Sequence, residues 1–134
     1  MALGLNVTLR NNMLNQITTR AGANAILRLY SGTRPATGGA ETTILAQLTC
    51  NATFAPGAAA GVLTLNAIAS DTSANATGTA TWFRILASDG TTHVFDGNVS
   101  TQAAGTGDMQ LDDTNIVLGG TVAISSATVT AGNA

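Results

Sequence analysis

The sequence predicts an all-β fold: an antiparallel β-sandwich or jelly roll carrying one N-terminal helix. Three observations point there. The run Thr79 to Val99 alternates in side-chain character and breaks at Asp89-Gly90, the pattern of a β-hairpin. About eight short apolar runs recur at roughly 8- to 15-residue spacing with turn residues between them, which fits sandwiches and jelly rolls. Aromatics are 4% of the chain, so its core draws on Val, Ile, Leu and many small Ala side chains. Small and β-branched residues suit closely stacked pleated surfaces, while abundant Gly weakens helix interiors. No sustained strand-helix alternation is present, which disfavours a doubly wound fold.

Residues 1–24 read as an N-terminal segment with a helix, and residues 25–134 as a single β-sandwich domain. After the lead Met1 to Val7, Thr8 is the expected N-cap of a helix from Leu9 to about Ala21. Leu9, Met13, Ile17 and Ala21 recur every fourth residue with Leu14 beside them, and Gly22 reads as the stop. Its expected exposed face is Arg10, Asn11, Asn15 and Arg20. Such a helix serves equally as a lid over one end of the sandwich or as an arm docking on a neighbour.

Ala25 to Tyr30 is the first strand, followed by the Gly/Pro-punctuated loop Ser31 to Ala40. Thr43 to Cys50 alternates and reads as half-buried; Val62 to Leu65 follows after Pro56-Gly57 and an Ala-Gly run. The polar stretch Ser70 to Gly78 is expected to be a loop.

The hairpin at Thr79 to Val99 holds the only Trp, the only His and two of three Phe. Ala80, Trp82, Arg84 and Leu86 point one way, and Thr81, Phe83 and Ile85 the other. Neither face is wholly polar, so both faces should be covered. Asp89-Gly90 predicts a two-residue turn, and Asp96-Gly97-Asn98 a second turn. Beyond a loop from Ser100 to Gly107 come strands at Met109 to Leu111 and Ile116 to Leu118, then Gly119-Gly120. The last strand, Thr121 to Thr130, changes phase: Val122 and Ile124 share one parity, Ala127 and Val129 the other. Ser125-Ser126 is therefore the expected site of a β-bulge or a bend. Ala131 to Ala134 reads as a loose tail or docking end.

At 134 residues the chain is long enough to bury roughly two-thirds of its unfolded surface without staples. Five basic and seven acidic residues give a net charge of −2, and the five Arg are scattered. That balance argues against nucleic acid, whose phosphates demand clustered cations. Charged residues are 9% of the chain and Lys is absent. Two readings stand: a surface that meets other protein chains, or the bias of a GC-rich genome. No secretory signal and no membrane span are evident. The sequons at Asn6, Asn51, Asn75 and Asn98 follow from a Thr- and Asn-rich composition.

The chemistry is sparse. Cys50 has no partner for a disulfide and ends an apolar run, so it reads as core. His93 is the only imidazole, and a nucleophilic triad would have to join it to Asp89 or Asp96, which read better as turn residues. One His and one Cys exclude the usual zinc set. Asp71, Asp108, Asp112 and Asp113 offer oxygen ligands for calcium but match no calcium loop and read as solvated turn acids. Gly38-Gly39 lacks the Lys-Ser/Thr of a phosphate loop. Trp82 and Tyr30, the candidates for stacking on a sugar, look like interior strand positions. The expectation is no enzyme, no catalytic, cofactor or metal site, and no cofactor.

The segments LRLYSGTRPA (Leu27 to Ala36), ILAQLT (Ile44 to Thr49) and SDTSANATGTATWFRILASDGTTHVFDG (Ser70 to Gly97) resemble small virion proteins of tailed bacteriophages. The likeness runs from about Ala25 to Thr130 and is nearest to jelly-roll cement, or head-decoration, proteins. It implies a virion structural protein on the phage head surface, made in the host cytoplasm, whose partner is the major capsid protein. It further implies self-association as a dimer or trimer on the capsid. Tail or baseplate proteins use similar sandwiches and are the alternative, followed by a carbohydrate-binding module. The contact surfaces expected are Met1 to Arg20, Ser31 to Glu41, Ser70 to Gly78 and the C-terminal tail. The family brings no catalytic motif.

Overall fold

The computed structural model describes residues 4–105 and 107–131. Residues 1–3 of the lead, 106 in the loop before the Met109 strand and 132–134 of the tail lie outside the described residues. The chain is mostly β with one helix. Helix α1 (Val7–Ala21) is followed by β1 (Ile26–Tyr30), β2 (Ile44–Thr49), β3 (Val62–Thr64), β4 (Gly78–Thr79) and β5 (Trp82–Leu86). Then come β6 (His93–Thr101), β7 (Met109–Leu111), β8 (Asn115–Ile116) and β9 (Ile124–Thr130). A seven-stranded sheet runs β2-β1-β5-β6-β7-β9-β3, and β4 pairs with β8 separately.

The sheet is mixed, not purely antiparallel, because β6 and β7 run parallel with Val99 opposite Met109. The two-residue β4 and β8 raise the strand count among the described residues to nine. Every residue of β5 is buried, Arg84 included, in keeping with faces neither of which is wholly polar. Phe83 and Ile85 join Leu27, Leu29, Leu45, Leu48 and Leu63 in the core, and Cys50 lies there as a free thiol. Burial raises the Cys50 pKa to about 12, so the thiol stays protonated.

The turn after β5 is a four-residue loop, Ser88 to Thr91, closed by Ala87 N–H donating to the Thr92 carbonyl. A two-residue Asp89-Gly90 turn needs positive φ at both central residues; Gly90 adopts it (+72°) and Asp89 does not. Asp89 instead accepts from the Thr91 and Thr92 N–H groups and the Thr92 hydroxyl.

The second expected turn is absent: Asp96, Gly97 and Asn98 sit inside β6, opposite Arg84, Phe83 and Trp82. Gly97 marks a close approach, since a Cβ there would meet Phe83 Cε1 at 2.5 Å. A side chain at that position would be driven into the aromatic ring, so the missing Cβ serves packing.

At Ser125-Ser126, where a bulge or a bend is expected, a bulge is present. Gln110 pairs with Ser126 and Leu111 with Ile124, leaving Ser125 as the extra residue. Upstream, Val122 makes an isolated bridge to Asp71, so the final strand proper begins at Ile124.

The helix is capped by Asn6, whose side chain accepts from the Thr8 N–H, so the cap lies two residues earlier than expected. Its docking face is also different. Leu14 and Ala21 are buried, but the neighbours that fasten the helix are polar. Asn15 Oδ1 accepts from the Ala58 N–H, Asn11 Oδ1 from the Gly61 N–H, and Arg10 Nη1 donates to the Ala131 carbonyl. The Ala59-Val62 turn they grip has Ala60 at φ +51° and Gly61 at +75°. Gly61 is favoured by its positive φ, and a Cβ there would displace the Arg10 guanidinium, whose Nη1 would lie 2.3 Å away. Arg10, Asn11 and Asn15 therefore face the body of the protein, and Leu9 and Met13 face outward.

Candidate functional site

The largest gathering of ionisable and aromatic side chains lies on the face of β1, β5 and β6 that the loop 31–42 covers. Strand alternation places Arg28 and Tyr30 of β1 beside Arg84 and Trp82 of β5 in register. Tyr30 and Trp82 stack with ring centroids 4.1 Å apart and 12° between planes, both fully buried. Arg84 Cζ sits 5.3 Å from the Trp82 ring centroid. On the next strand Asp96 receives Arg84 in a fork: Nε to Oδ1 at 2.7 Å and Nη2 to Oδ2 at 3.1 Å.

The same pair fastens the covering loop. Arg84 Nη2 donates to the Gly39 carbonyl, and the Gly38 N–H donates to Asp96 Oδ2. Trp82 Nε1 donates to the Thr42 hydroxyl, which donates to the Ser31 carbonyl. Glu41 reaches Arg28 at 3.2 Å and lies 3.9 Å from Arg84. Gly38-Gly39 is thus a tethered crossing point. Burial drives the Asp96 carboxyl upward, but bonds from Arg84, the Gly38 N–H and His93 outweigh it and hold the pKa below the usual range. The Asp96 bond, and against it burial, set the Arg84 guanidinium above its ordinary value. Burial, with Glu41 beside it, pushes the Tyr30 phenol up to about 12. Its hydroxyl has no hydrogen-bond partner among the described residues.

His93 Nε2 lies 3.1 Å from Asp96 Oδ1, so one of the pairings required for a triad is present. The Asp is committed elsewhere, however, because both its oxygens are held by Arg84. Asp89, the other candidate, is consumed by its turn: bonds from the Thr92 hydroxyl, the Thr92 N–H and the Thr91 N–H lower its pKa to about 2. The charges in this cluster are spent on one another and on the loop, which makes it a clamp. Composition and turn rules hid it. The signal was Arg84 in an otherwise apolar strand, a buried-ion-pair position that demanded an acid on a neighbouring strand.

The other acids stay apart. Asp71 accepts from the Ser73 and Gln47 N–H groups, Asp113 from the Asn115 N–H, Asp112 from the Ser125 hydroxyl and Asp108 from the Asn98 N–H. The described residues contain no group of three or more His, Cys, Asp or Glu placed to hold a metal. No helix among them is long and apolar enough to cross a membrane.

What the protein does present is apolar surface on rigid supports. Val7, Leu9 and Met13 on the helix are 43%, 48% and 50% exposed; Val117 and Leu118 at a turn are 64% and 65% exposed. That turn is pinned: Leu118 N–H donates to Thr77 Oγ1, Gly119 N–H to the Ala74 carbonyl and Gly120 N–H to the Val117 carbonyl. The loop Ser70 to Gly78 is fastened as well, its Asn75 and Ala76 N–H groups donating to the Leu45 carbonyl at the outer edge of β2. With the backbone already pinned, covering these side chains costs their rotamer freedom but no loop ordering. Comparison with known proteins found no matching family model, no matching curated protein and no matching solved structure.

Proposed function

We propose that this chain is a virion structural protein of a tailed phage: a capsid cement or decoration protein that binds across major capsid subunits on the head and stabilises the mature shell. The observation that carries this reading is the outward set Val7, Leu9, Met13, Val117 and Leu118 on pinned backbone, in a chain with 9% charged residues. The likeness of Leu27 to Ala36 and Ser70 to Gly97 to phage virion proteins supplies the direction. Such a protein makes and breaks no bond. It binds a seam present only in the assembled lattice and so shifts the shell toward its assembled form. Self-association as a dimer or trimer at a symmetry axis would join the separate contacts.

On the same reading the seven-stranded sheet folds over itself into a jelly-roll-like sandwich. Two features support it: β5 is buried on both faces, and β6 and β9 each change partner along their length. β6 passes from β5 to β7 after Asn98, and β9 from β7 to β3 after Ala127. The parallel β6-β7 pair is a departure from a purely antiparallel jelly roll.

The test is binding of purified protein to expanded empty heads, counted by quantitative mass spectrometry beside separated tails. A copy number matching capsid symmetry, lowered by Leu9→Gln with Met13→Gln, is the expected result. Recovery in tails at ring-like copy number would move the assignment to the tail or baseplate. Trp82 and Tyr30 are buried, which weighs against a sugar-stacking platform.

A further inference from the structure

The large sheet lacks part of one strand. β7 sits between β6 and β9 for three residues, Met109–Leu111, opposite Val99–Thr101 on one side and Ile124–Ala127 on the other. Just before β7, Asp108 stitches the same two strands: its carboxylate accepts from the Asn98 N–H and its carbonyl from the Thr128 N–H. Then the chain leaves the ladder, crossing so close to Ser100 that a Cβ on Gly107 would lie 2.5 Å from its nitrogen. β6 and β9 continue without it. Between them lies a cleft of about 260 Å³ lined by Ile17, Phe95, Asp96, Gly97, Asp108 and Thr130, among others.

Register says what the lips of the cleft offer. The Val99 N–H donates to the Thr81 carbonyl, so Gly97 and Phe95 also turn their peptide groups toward β5. Asp96 then turns its N–H and C=O away, toward the cleft. On β9, Leu65 N–H donates to Ala127 and Ala131 N–H to Gly61, which leaves Thr130 facing the cleft in the same way. Where β7 lies between them, β6 and β9 are two inter-strand spacings apart, about 9.5 Å, and the cleft continues that gap where the strand is missing. The side chain at the head of the cleft is the Asp108 carboxylate, exposed and paired with no cation among the described residues. Asp96 adds no charge there, since Arg84 neutralises it.

We propose that this cleft is a strand-addition site for an extended segment of a partner protein carrying Arg or Lys beside an apolar residue. The main chain of the segment would pair with Asp96 and Thr130, its apolar side chain would cover Phe95 and Ile17, and its cation would meet Asp108. The inference does not depend on the capsid reading.

The probes are capped pentapeptides: Thr-Val-Arg-Val-Thr, the same with Glu for Arg, and Thr-Pro-Arg-Pro-Thr. The readout is amide exchange by NMR. In the free protein the Asp96 and Thr130 amides should exchange quickly while Phe95, Gly97 and Val129 are protected. The Arg peptide at ten times its Kd should slow both amides about tenfold, in proportion to occupancy. The Glu peptide should bind several-fold more weakly, the Pro peptide should have no effect, and Asp108→Asn should erase the difference between Arg and Glu. Thr130→Pro removes only an N–H outside the ladder, so the fold should survive while the effect is lost. Three outcomes overturn the proposal: protection of both amides in the free monomer, protection that grows with protein concentration alone, which makes a second copy the occupant, or no response to millimolar Arg peptide.

Discussion

Replacing Asp96 by alanine should be among the most damaging single changes in this protein. The Asp96 side chain is 2% exposed and the Arg84 side chain 7%, and the two meet through a bidentate fork. Removing the acid strands a guanidinium in the interior with the Gly39 carbonyl and the more distant Glu41 as its remaining partners. Breaking one side of a buried pair in this way costs about 3–5 kcal/mol, while an exposed pair such as Arg28–Glu41 is worth about 0–1 kcal/mol. Unfolding in guanidinium, followed by the fluorescence of the single Trp, reads the difference directly. Arg84→Met combined with Asp96→Leu should recover most of the loss, because apolar replacement of a buried pair is often neutral. A loss of under about 1 kcal/mol for Asp96→Ala would refute the reasoning, since that is the range of surface pairs. Acid gives the same answer by another route. The folded pKa of Asp96 lies below its ordinary 3.8, so the stabilisation is full above that value and disappears as pH falls through the folded pKa. Wild type should therefore lose stability below pH 4 more steeply than Asp96→Asn.

Gly97→Ala should destabilise by about 1–3 kcal/mol through collision with Phe83, and Phe83→Leu should relieve part of it; at a surface turn the change would be nearly silent. The Asp89 carboxyl should titrate at about 2 by NMR, and Thr92→Ala should raise it, since the Thr92 hydroxyl is the largest cause of the shift. Cys50 should resist a thiol reagent in the native state and react at the rate of unfolding, because burial holds its pKa near 12. Leu9→Gln and Met13→Gln should each change stability by under about 0.5 kcal/mol by the same denaturation assay, as expected of exposed positions.

Local rules read the β elements well where one face or one turn decided the matter. Because neither face of Trp82–Leu86 is wholly polar, a strand covered on both sides is expected and is found, and the parity change across Ser125 is a bulge. The same rules failed where a residue served a distant partner. Gly97 beside Asp96 has the composition of a turn, but the glycine is there for the Phe83 ring and the acid for Arg84. The helix misled for a related reason. Spacing of four assigns Leu9 and Met13 to the core, yet the surface the helix meets is a turn region whose Ala58 and Gly61 N–H groups take side-chain acceptors from the helix. Buried N–H groups need acceptors, so Asn11 and Asn15 join Leu14, Ile17 and Ala21 on the inner face, and Leu9 and Met13 are turned out. The clamp under the loop 31–42 was invisible because its members lie on strands whose order no local pattern reveals.

The outward placement of Leu9 and Met13 bears on how strongly the protein can adhere. Fully burying a Val, Leu or Met side chain is worth about 1.5–3 kcal/mol, so covering residues already half-buried adds roughly 1 to 1.5 kcal/mol each. Val7, Leu9, Met13, Val117 and Leu118 together then supply about 5–7 kcal/mol. Association alone costs an estimated 4–15 kcal/mol. One copy held by these contacts therefore binds weakly or not at all. If the protein has the decoration role proposed above, it must be held at several points at once, where linkage through a shell or through an oligomer would raise effective concentration into the millimolar range. Occupancy should then depend cooperatively on the apolar sites: losing the helix pair or the turn pair alone should release most of the protein, not half of it.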